Sequence, residues 1–161
     1  MGVDIRRAVG RDAVGVAELN SAVQQLHFEQ RPDWFKPPNP AAFVPVVEEW
    51  LSVESTAVFV AELEGGALVG YVAAMRRDRP DHPLVHQAGV VELDQLVVTA
   101  EYRRTGVGTS LCLRVLDWAR QQRVDRIELG TWHFNNAAYT LFERLGFAPT
   151  QRRMSLSVAD E

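Results

Sequence analysis

The chain has 161 residues, 47% hydrophobic and 24% charged, which suits one globular domain over 1–161 with its own core and excludes a disordered or fibrous chain. A formal net charge of −4 excludes the broad basic face of a nucleic-acid binder, and the lone Cys112 excludes an internal disulfide framework. No apolar run nears the ~20 residues of a membrane span, and the opening MGVDIRRAV lacks the apolar core of a secretory leader, so the expected address is cytoplasmic, with no membrane partner.

Val3–Val9 reads as a short opening strand. From Asp12 to Gln30, Val16, Leu19, Val23 and Leu26 recur at helical spacing. RPDWFKPPNP, dense in proline and aromatics, is irregular. A second helix is expected over Ala41–Val53, with Pro45 blurring its start. The period then changes. Ala57–Leu63 and Leu68–Arg76 read as strands joined through Glu64-Gly65-Gly66, a hairpin signal. Arg77–Gln87 is a loop and Ala88–Val98 a long strand. A helix follows the glycines Gly106 and Gly108 and runs to about Gln122. Arg126–Thr131 is the next strand, Asn135–Leu145 a short helix closed by Gly146, and Thr150–Val158 the last strand. The order is β-α-α-β-β-β-α-β-α-β. Consecutive middle strands argue for antiparallel neighbours. The strand-helix-strand unit from Ala88 to Thr131 argues for one parallel pair with a right-handed crossover. The fold class is therefore α/β: a mixed, mostly antiparallel sheet with helices on both faces.

The stretch EYRRTGVGTSLCL carries the first chemical signal. The leading amides of a helix have no internal acceptors, and with the helix dipole they attract anions, phosphate above all. Glycine admits close backbone approach. Arg103 and Arg104 add charge. A P-loop would need lysine after the second glycine, where Thr109-Ser110 stands. A dinucleotide fingerprint would need a small residue where Leu111 stands. The alternative is a turn glycine, a packing glycine and two solvated arginines.

Two blocks together resolve more than either alone. ELDQLVVTAEYRRTGVGTSL resembles the Gcn5-related N-acetyltransferase (GNAT) family, whose signature is a strand and then Gln/Arg-x-x-Gly-x-Gly/Ala opening a helix; Arg103, Gly106 and Gly108 match it. NNAAYTLFERLGF resembles that family's later block through Asn135, Ala138, Leu141, Phe142, Glu143, Gly146 and Phe147. The resemblance is specific across Glu92–Phe147. It implies the GNAT fold with a splayed parallel strand pair, and acetyl-CoA as cosubstrate. It places pyrophosphate on the amides of Arg104, Thr105, Gly106, Val107, Gly108 and Thr109. It places the pantetheine arm along the backbone of Leu96, Val97 and Val98. Asn135 then contacts the cofactor, caps its helix, or does both. Ala138 and Phe142 line the same cofactor region by analogy, although Ala138, Leu141 and Leu145 also have core spacing.

Transfer to an amine needs a base, a held oxyanion and a leaving thiolate. Glu92 and Asp94 share one strand face at period two, eleven and nine residues before Arg103. Histone-type members carry a glutamate base at the first of these spacings. Glu92 is thus the leading base and Asp94 its reserve, against salt bridges from either to Arg76 or Arg77. A main-chain amide near Val97 or Val98 is the oxyanion donor. Phe142 stands where the family often has a tyrosine acid. Tyr139, one turn earlier, is the substitute acid or a packed aromatic with a wet hydroxyl. A thiol leaves tolerably as thiolate, so catalysis survives a phenyl ring there.

In the resembling family the acceptor site is built from the first helices and their linker, LHFEQRPDWFKPP here. His27, Glu29, Asp33, Trp34 and Phe35 form a candidate wall of aromatics with charged tips, suited to a cationic amine. Phe35 alternatively packs on the core. No metal site is expected: Pro83 denies His82 and His86 a common helix, and His133 offers no clear third ligand. Cys112 reads as packing rather than nucleophile. The expected function is direct acetyl transfer from acetyl-CoA to a primary amine of a small molecule or protein. The alternatives are a non-catalytic acyl-CoA sensor and a phosphate binder outside the family. A homodimer is compatible with the resemblance.

Overall fold

The computed structural model describes residues 2–158. It divides into two compact units, Met1–Gly130 and Thr131–Glu161. The first contains strand β1 (Val3–Arg7), helices α1 (Ala13–Gln30) and α2 (Pro40–Ser52), strands β2 (Thr56–Leu63), β3 (Leu68–Arg79) and β4 (Ala88–Val98), helix α3 (Val107–Gln121) and strand β5 (Arg126–Leu129). The sheet order is β1-β2-β3-β4-β5. The first four strands pair antiparallel; β4 and β5 pair parallel with α3 as the crossover.

Most boundaries follow local chemistry. Asn39 caps α2 by accepting the Ala42 amide at 3.1 Å, and Pro40 opens it, where no N–H is needed. Pro45 lies inside α2 rather than at its start. It and Ala41, whose carbonyl loses its helical donor, are both exposed, so water supplies the missing bond. Gly66 has φ +85° and turns β2 into β3, as the paired glycines predict. The predicted loop from Arg77 is shorter than expected, because β3 continues to Arg79 opposite Ala88.

Alternation along the strands divides two packing faces. Val58, Val60, Tyr71, Ala73 and Val97 bury against Val16 of α1 and Val47 of α2. Phe59 lies on the opposite face, where the Arg114 guanidinium of α3 sits 5.5 Å from its ring centroid. Gly70 permits the closest approach of β3 to β4: a Cβ there would meet the Val97 carbonyl at 2.8 Å.

In the second unit, α4 (Asn136–Arg144) is capped at both ends. Asn135 accepts the Ala138 amide at 3.3 Å. Gly146, at φ +93°, lets its own N–H reach Glu143 and the Phe147 N–H reach Phe142, both at 3.0 Å. This is a Schellman ending, and its usual apolar contact is supplied by the Phe142 and Phe147 rings, 5.6 Å apart. The predicted strand Thr150–Val158 does not form. Residues 148–158 are irregular, and Met154, Leu156 and Val158 are exposed. Alternation supplies a strand's side-chain pattern, but a strand exists only when its backbone has a partner, and no described strand pairs with these residues.

One ion cluster ties the first unit's opening to the sheet. Arg6 donates to both oxygens of Asp12 at 2.7 and 2.9 Å, and to both oxygens of Glu62 at 2.7 and 3.0 Å. Asp12 is buried and also accepts the Val9 amide at 2.8 Å. The Arg6 hydrogen bonds hold its carboxyl below the usual range. Asp12→Ala should lower unfolding free energy by about 3 kcal/mol at pH 7, since it leaves a partly buried guanidinium short of a partner. Because the folded pKa is depressed, the wild-type advantage is full above the ordinary carboxylate value and fades as pH falls through the folded one. Urea denaturation at pH 7 and at a pH below the ordinary carboxylate value checks both the size and the fading.

Candidate active site

The loop before α3 has left-handed residues at Arg104 (φ 61°) and Gly106 (φ 95°). Such turns gather successive N–H groups into a concave anion cradle. The first helical bond runs from Ser110 to the Gly106 carbonyl at 2.9 Å. The amides of Val107, Gly108 and Thr109 therefore have no acceptor in the helix, and they point out of its positive end. A cavity of about 440 Å³ opens beside them, lined by Tyr102, Thr105, Gly106, Val107 and Ser110 of the loop and by Val3 and Ile5. Thr105 donates its hydroxyl to the Tyr102 carbonyl at 2.6 Å and stiffens the turn. The two arginines differ. Arg103 Nε donates to the Val98 carbonyl at 3.1 Å, so it fastens the loop to β4. Arg104 makes no ion pair among the described residues and is the cation left at the mouth.

The parallel pairing is short, because β5 itself ends at Leu129. β4 pairs with β5 only from Val90 to Leu93, while its pairing with β3 continues to Val98. Beyond Leu93, one edge of β4 is open. Thr99 donates to Val69 at 2.9 Å, so by alternation the Val97 backbone also faces β3 and that of Leu96 and Val98 faces the opening. The Val98 carbonyl is taken by Arg103. The opening is thus served by the Leu96 N–H and carbonyl and by the Val98 N–H, and Val97 contributes packing instead.

The strand departs from simple alternation where the open edge begins. Ala74 opposes Leu93 and Ala73 opposes Gln95, so Asp94 is an extra, bulged residue. The faces shift accordingly: Glu92 and Gln95, not Glu92 and Asp94, occupy the register face of Tyr71 and Ala73. The two carboxylates still feel one another. Partial desolvation pushes the carboxyl of the otherwise exposed Asp94 up, the adjoining Gln95 side chain opposes this, the charge of Glu92 raises it further, and Arg77 lowers it. Glu92 is paired with Arg77 at 3.2 Å, both exposed, so the salt-bridge alternative holds for Glu92. Arg76 pairs with Asp78 instead.

On that face a buried polar group links three elements. The Asn20 amide nitrogen donates to the Tyr71 hydroxyl and to Gln95 Oε1, each at 3.0 Å; Tyr71 donates to the same oxygen at 3.3 Å. Burial raises the Tyr71 pKa, so it stays a neutral donor. Asn20 and Gln95 open onto a cavity of about 230 Å³, whose other polar walls are Ser21, Gln24 and Asn39 beside Phe43. None of these was identified from the sequence. The one available signal was an asparagine within the apolar stripe of α1; the rest depends on register.

The linker residues expected at the acceptor site lie elsewhere. His27 stacks on Phe35 with ring centroids 4.8 Å apart, and burial lowers its pKa. Glu29 accepts from Gln25 at 2.7 Å, Asp33 pairs with Arg31, and Trp34 is 67% exposed. None of them lines the cavity. In the second unit, Asn135 is spent as a helix cap, Phe142 is buried, and Tyr139 is exposed. Burial raises the Cys112 thiol to about 12, which keeps it protonated and unreactive. Among the described residues no group of three or more His, Cys, Asp or Glu could hold a metal ion. No described helix is long and apolar enough to cross a membrane.

Residues 21–147 match the family model described as Acetyltransferase (GNAT) family. The chain belongs to that family. A probable N-acetyltransferase, camello, of Xenopus tropicalis is 32% identical over 63% of this chain and 43% of its own length. N-acetyltransferase 8 of Mus musculus is 34% identical over 65% and 44%. The chain thus spans less than half the length of these curated relatives. A solved mutant of the BH1408 protein of Bacillus halodurans is 26% identical, with TM-score 0.87, over 96% of this chain and 99% of that one. The aminoglycoside N-acetyltransferase AAC(6')-Iy, solved with CoA, shares the fold at 21% identity and TM-score 0.78, over 97% and 94%. Family membership supports acetyl-CoA as cosubstrate. Two features of this molecule fit it: unpartnered amides beside a cavity, and a strand edge with free donors.

The raised pKa of Asp94 has a stability consequence. The fold disfavours its ionised form, and that cost is present above the folded pKa and vanishes below the ordinary carboxylate value. Asp94→Asn should therefore raise the melting temperature at pH 7, and the gain should disappear in acid. Calorimetric scans at pH 7 and pH 3.5 test it.

Proposed function

We propose that this chain is one acetyltransferase domain that moves the acetyl group of acetyl-CoA directly to a primary amine. The observation that carries this reading is the pairing of free amides at the mouth of α3 with the open edge of β4, which begins at a carboxylate-bearing bulge. Diphosphate is matched by the amides of Val107, Gly108 and Thr109 with Arg104 beside them. The pantetheine arm is matched by the backbone of Leu96 and Val98. In the reaction the neutral amine nitrogen bonds to the thioester carbonyl carbon, the C–S bond breaks, and the sulfur leaves as thiolate or thiol.

The amine arrives protonated and must first lose a proton. Asp94 suits that task better than Glu92, because its pKa is shifted toward neutrality and no arginine is bonded to it. Glu92 keeps a supporting role through its charge. The Val98 N–H, or that of Leu96, is the oxyanion donor on our reading. Phe142, where the family often has tyrosine, has no proton to give, and a thiol leaves tolerably as thiolate. The names of the relatives, among them an N-acetylaspartate synthetase of Xenopus tropicalis, all speak of acetylation, yet they share no one acceptor. A non-catalytic acyl-CoA sensor is the second reading, and Phe142 is the residue that favours it.

Gly108→Asp should abolish CoA uptake by calorimetry, through blocked approach and charge repulsion; retained affinity would displace the cofactor from this loop. Asp94→Asn should lower kcat/KM at least tenfold, with CoA affinity kept, whereas Glu92→Gln should cost less. In the wild type, kcat/KM should fall as pH drops through the raised Asp94 pKa. CoA binding with no thiol release across a panel of amines would favour the sensor.

A further inference from the structure

The cavity beside Gln95 carries no charge. Its polar walls are Asn20, Ser21, Gln24, Asn39 and Gln95, and the remaining walls are apolar. Existing hydrogen bonds determine which of their atoms remain free. The Asn20 amide nitrogen donates to Gln95 Oε1 and to the Tyr71 hydroxyl, each at 3.0 Å, so Asn20 Oδ1 is left unpartnered among the described residues. Gln24 Nε2 donates to the Lys36 carbonyl at 2.7 Å, leaving its oxygen free. Asn39 Oδ1 is spent on the α2 cap, leaving its NH₂ free. Ser21 makes no hydrogen bond among the described residues. The cavity walls therefore carry two free amide oxygens, the NH₂ groups of Asn39 and Gln95 and one hydroxyl, a mixed donor and acceptor set without a counterion.

Such a set is matched by a neutral group that both gives and accepts hydrogen bonds. It is a poor host for a second ammonium, whose desolvation no carboxylate in the wall would offset. At about 230 Å³ it lies below the ~300–1,000 Å³ of full small-molecule sites, so it holds one residue-sized group. The single positive charge of the reacting amine is served outside it, by Asp94 and Glu92 at the bulge.

Resting on the acetyltransferase reading, we propose that the acceptor is a primary amine with one uncharged amide- or hydroxyl-bearing group, which seats between α1, α2 and Gln95, and that polyamines are disfavoured. Two sources supply this chemistry: the amide of an amino-acid amide or peptide, and the hydroxyls of an amino sugar. The test is thiol release from acetyl-CoA with glycinamide, a neutral dipeptide, glucosamine and spermidine as acceptors. A neutral acceptor should exceed spermidine at least tenfold in kcat/KM, and the ranking of amides against the sugar names the source. Ser21→Ala loses no internal hydrogen bond, and Gln24→Leu loses only the one to Lys36. Each should raise KM for the preferred neutral acceptor about three- to tenfold, the worth of one neutral hydrogen bond, with the change in KM rather than kcat. Spermidine matching or exceeding the neutral amines, or an unmoved KM in both variants, would overturn the proposal. If CoA binds but no amine turns over, the acetyltransferase reading fails by itself. Calorimetry of the same amines on CoA-loaded protein then decides this one: selective uptake of a neutral amine, weakened in Ser21→Ala, supports it, and no uptake overturns it.

Discussion

One extra residue in β4 organises the first unit. Asp94 has no opposite number on β3, and pairing with β5 stops one residue earlier, at Leu93. A bulge increases local twist and bends its strand. Beyond Leu93 the Leu96 backbone and the Val98 N–H have no strand partner on the far edge of β4 among the described residues. The bulge also sets a carboxylate at the head of that open edge, so the edge and the Asp94 carboxylate adjoin a single local irregularity.

The bulge is in turn held by buried polar bonds. Tyr71, Asn20 and Gln95 satisfy one another in a place where an unpaired donor would cost about 1–3 kcal/mol. This network makes α1 a partner of β3 and β4 at the point where the strand is irregular. It also orients the Asn20 and Gln95 amides of the adjoining cavity. The loop before α3 is fastened independently, by Arg103 onto Val98. Arg103 thereby positions the backbone of that loop.

In the second unit, one motif has two readings that share residues. Asn135, Phe142, Gly146 and Phe147 match the family's later block, and each also closes an end of α4. Phe142 illustrates the overlap. A tyrosine there could serve as an acid; the phenyl ring here completes the apolar contact of the helix ending. The loss of a hydroxyl leaves that contact intact, which is why the substitution is compatible with the fold.

Local rules made much of this protein legible. Helical and strand periods placed nine elements to within a few residues, because burial of one face is written in the spacing of apolar side chains. Glycines before α3 announced a turn with unpartnered helix amides, because free amides at a helix start follow from geometry alone. What spacing could not convey was pairing. Alternation in Met154, Leu156 and Val158 predicted a strand that lacks a neighbour, and alternation in Glu92 and Asp94 missed an inserted residue. Spacing was equally silent on the cavity walls: His27 and Phe35 of the linker stack on each other, while the cavity draws on Asn20, Ser21, Gln24, Asn39 and Gln95, far apart in the chain. The sequence by itself determined nine of the elements, the family and the glycine turn before α3, since these are short-range properties. Register, the bulge and the identity of the cavity walls were decided only by tertiary structure, since they depend on which backbone groups find partners across the sheet.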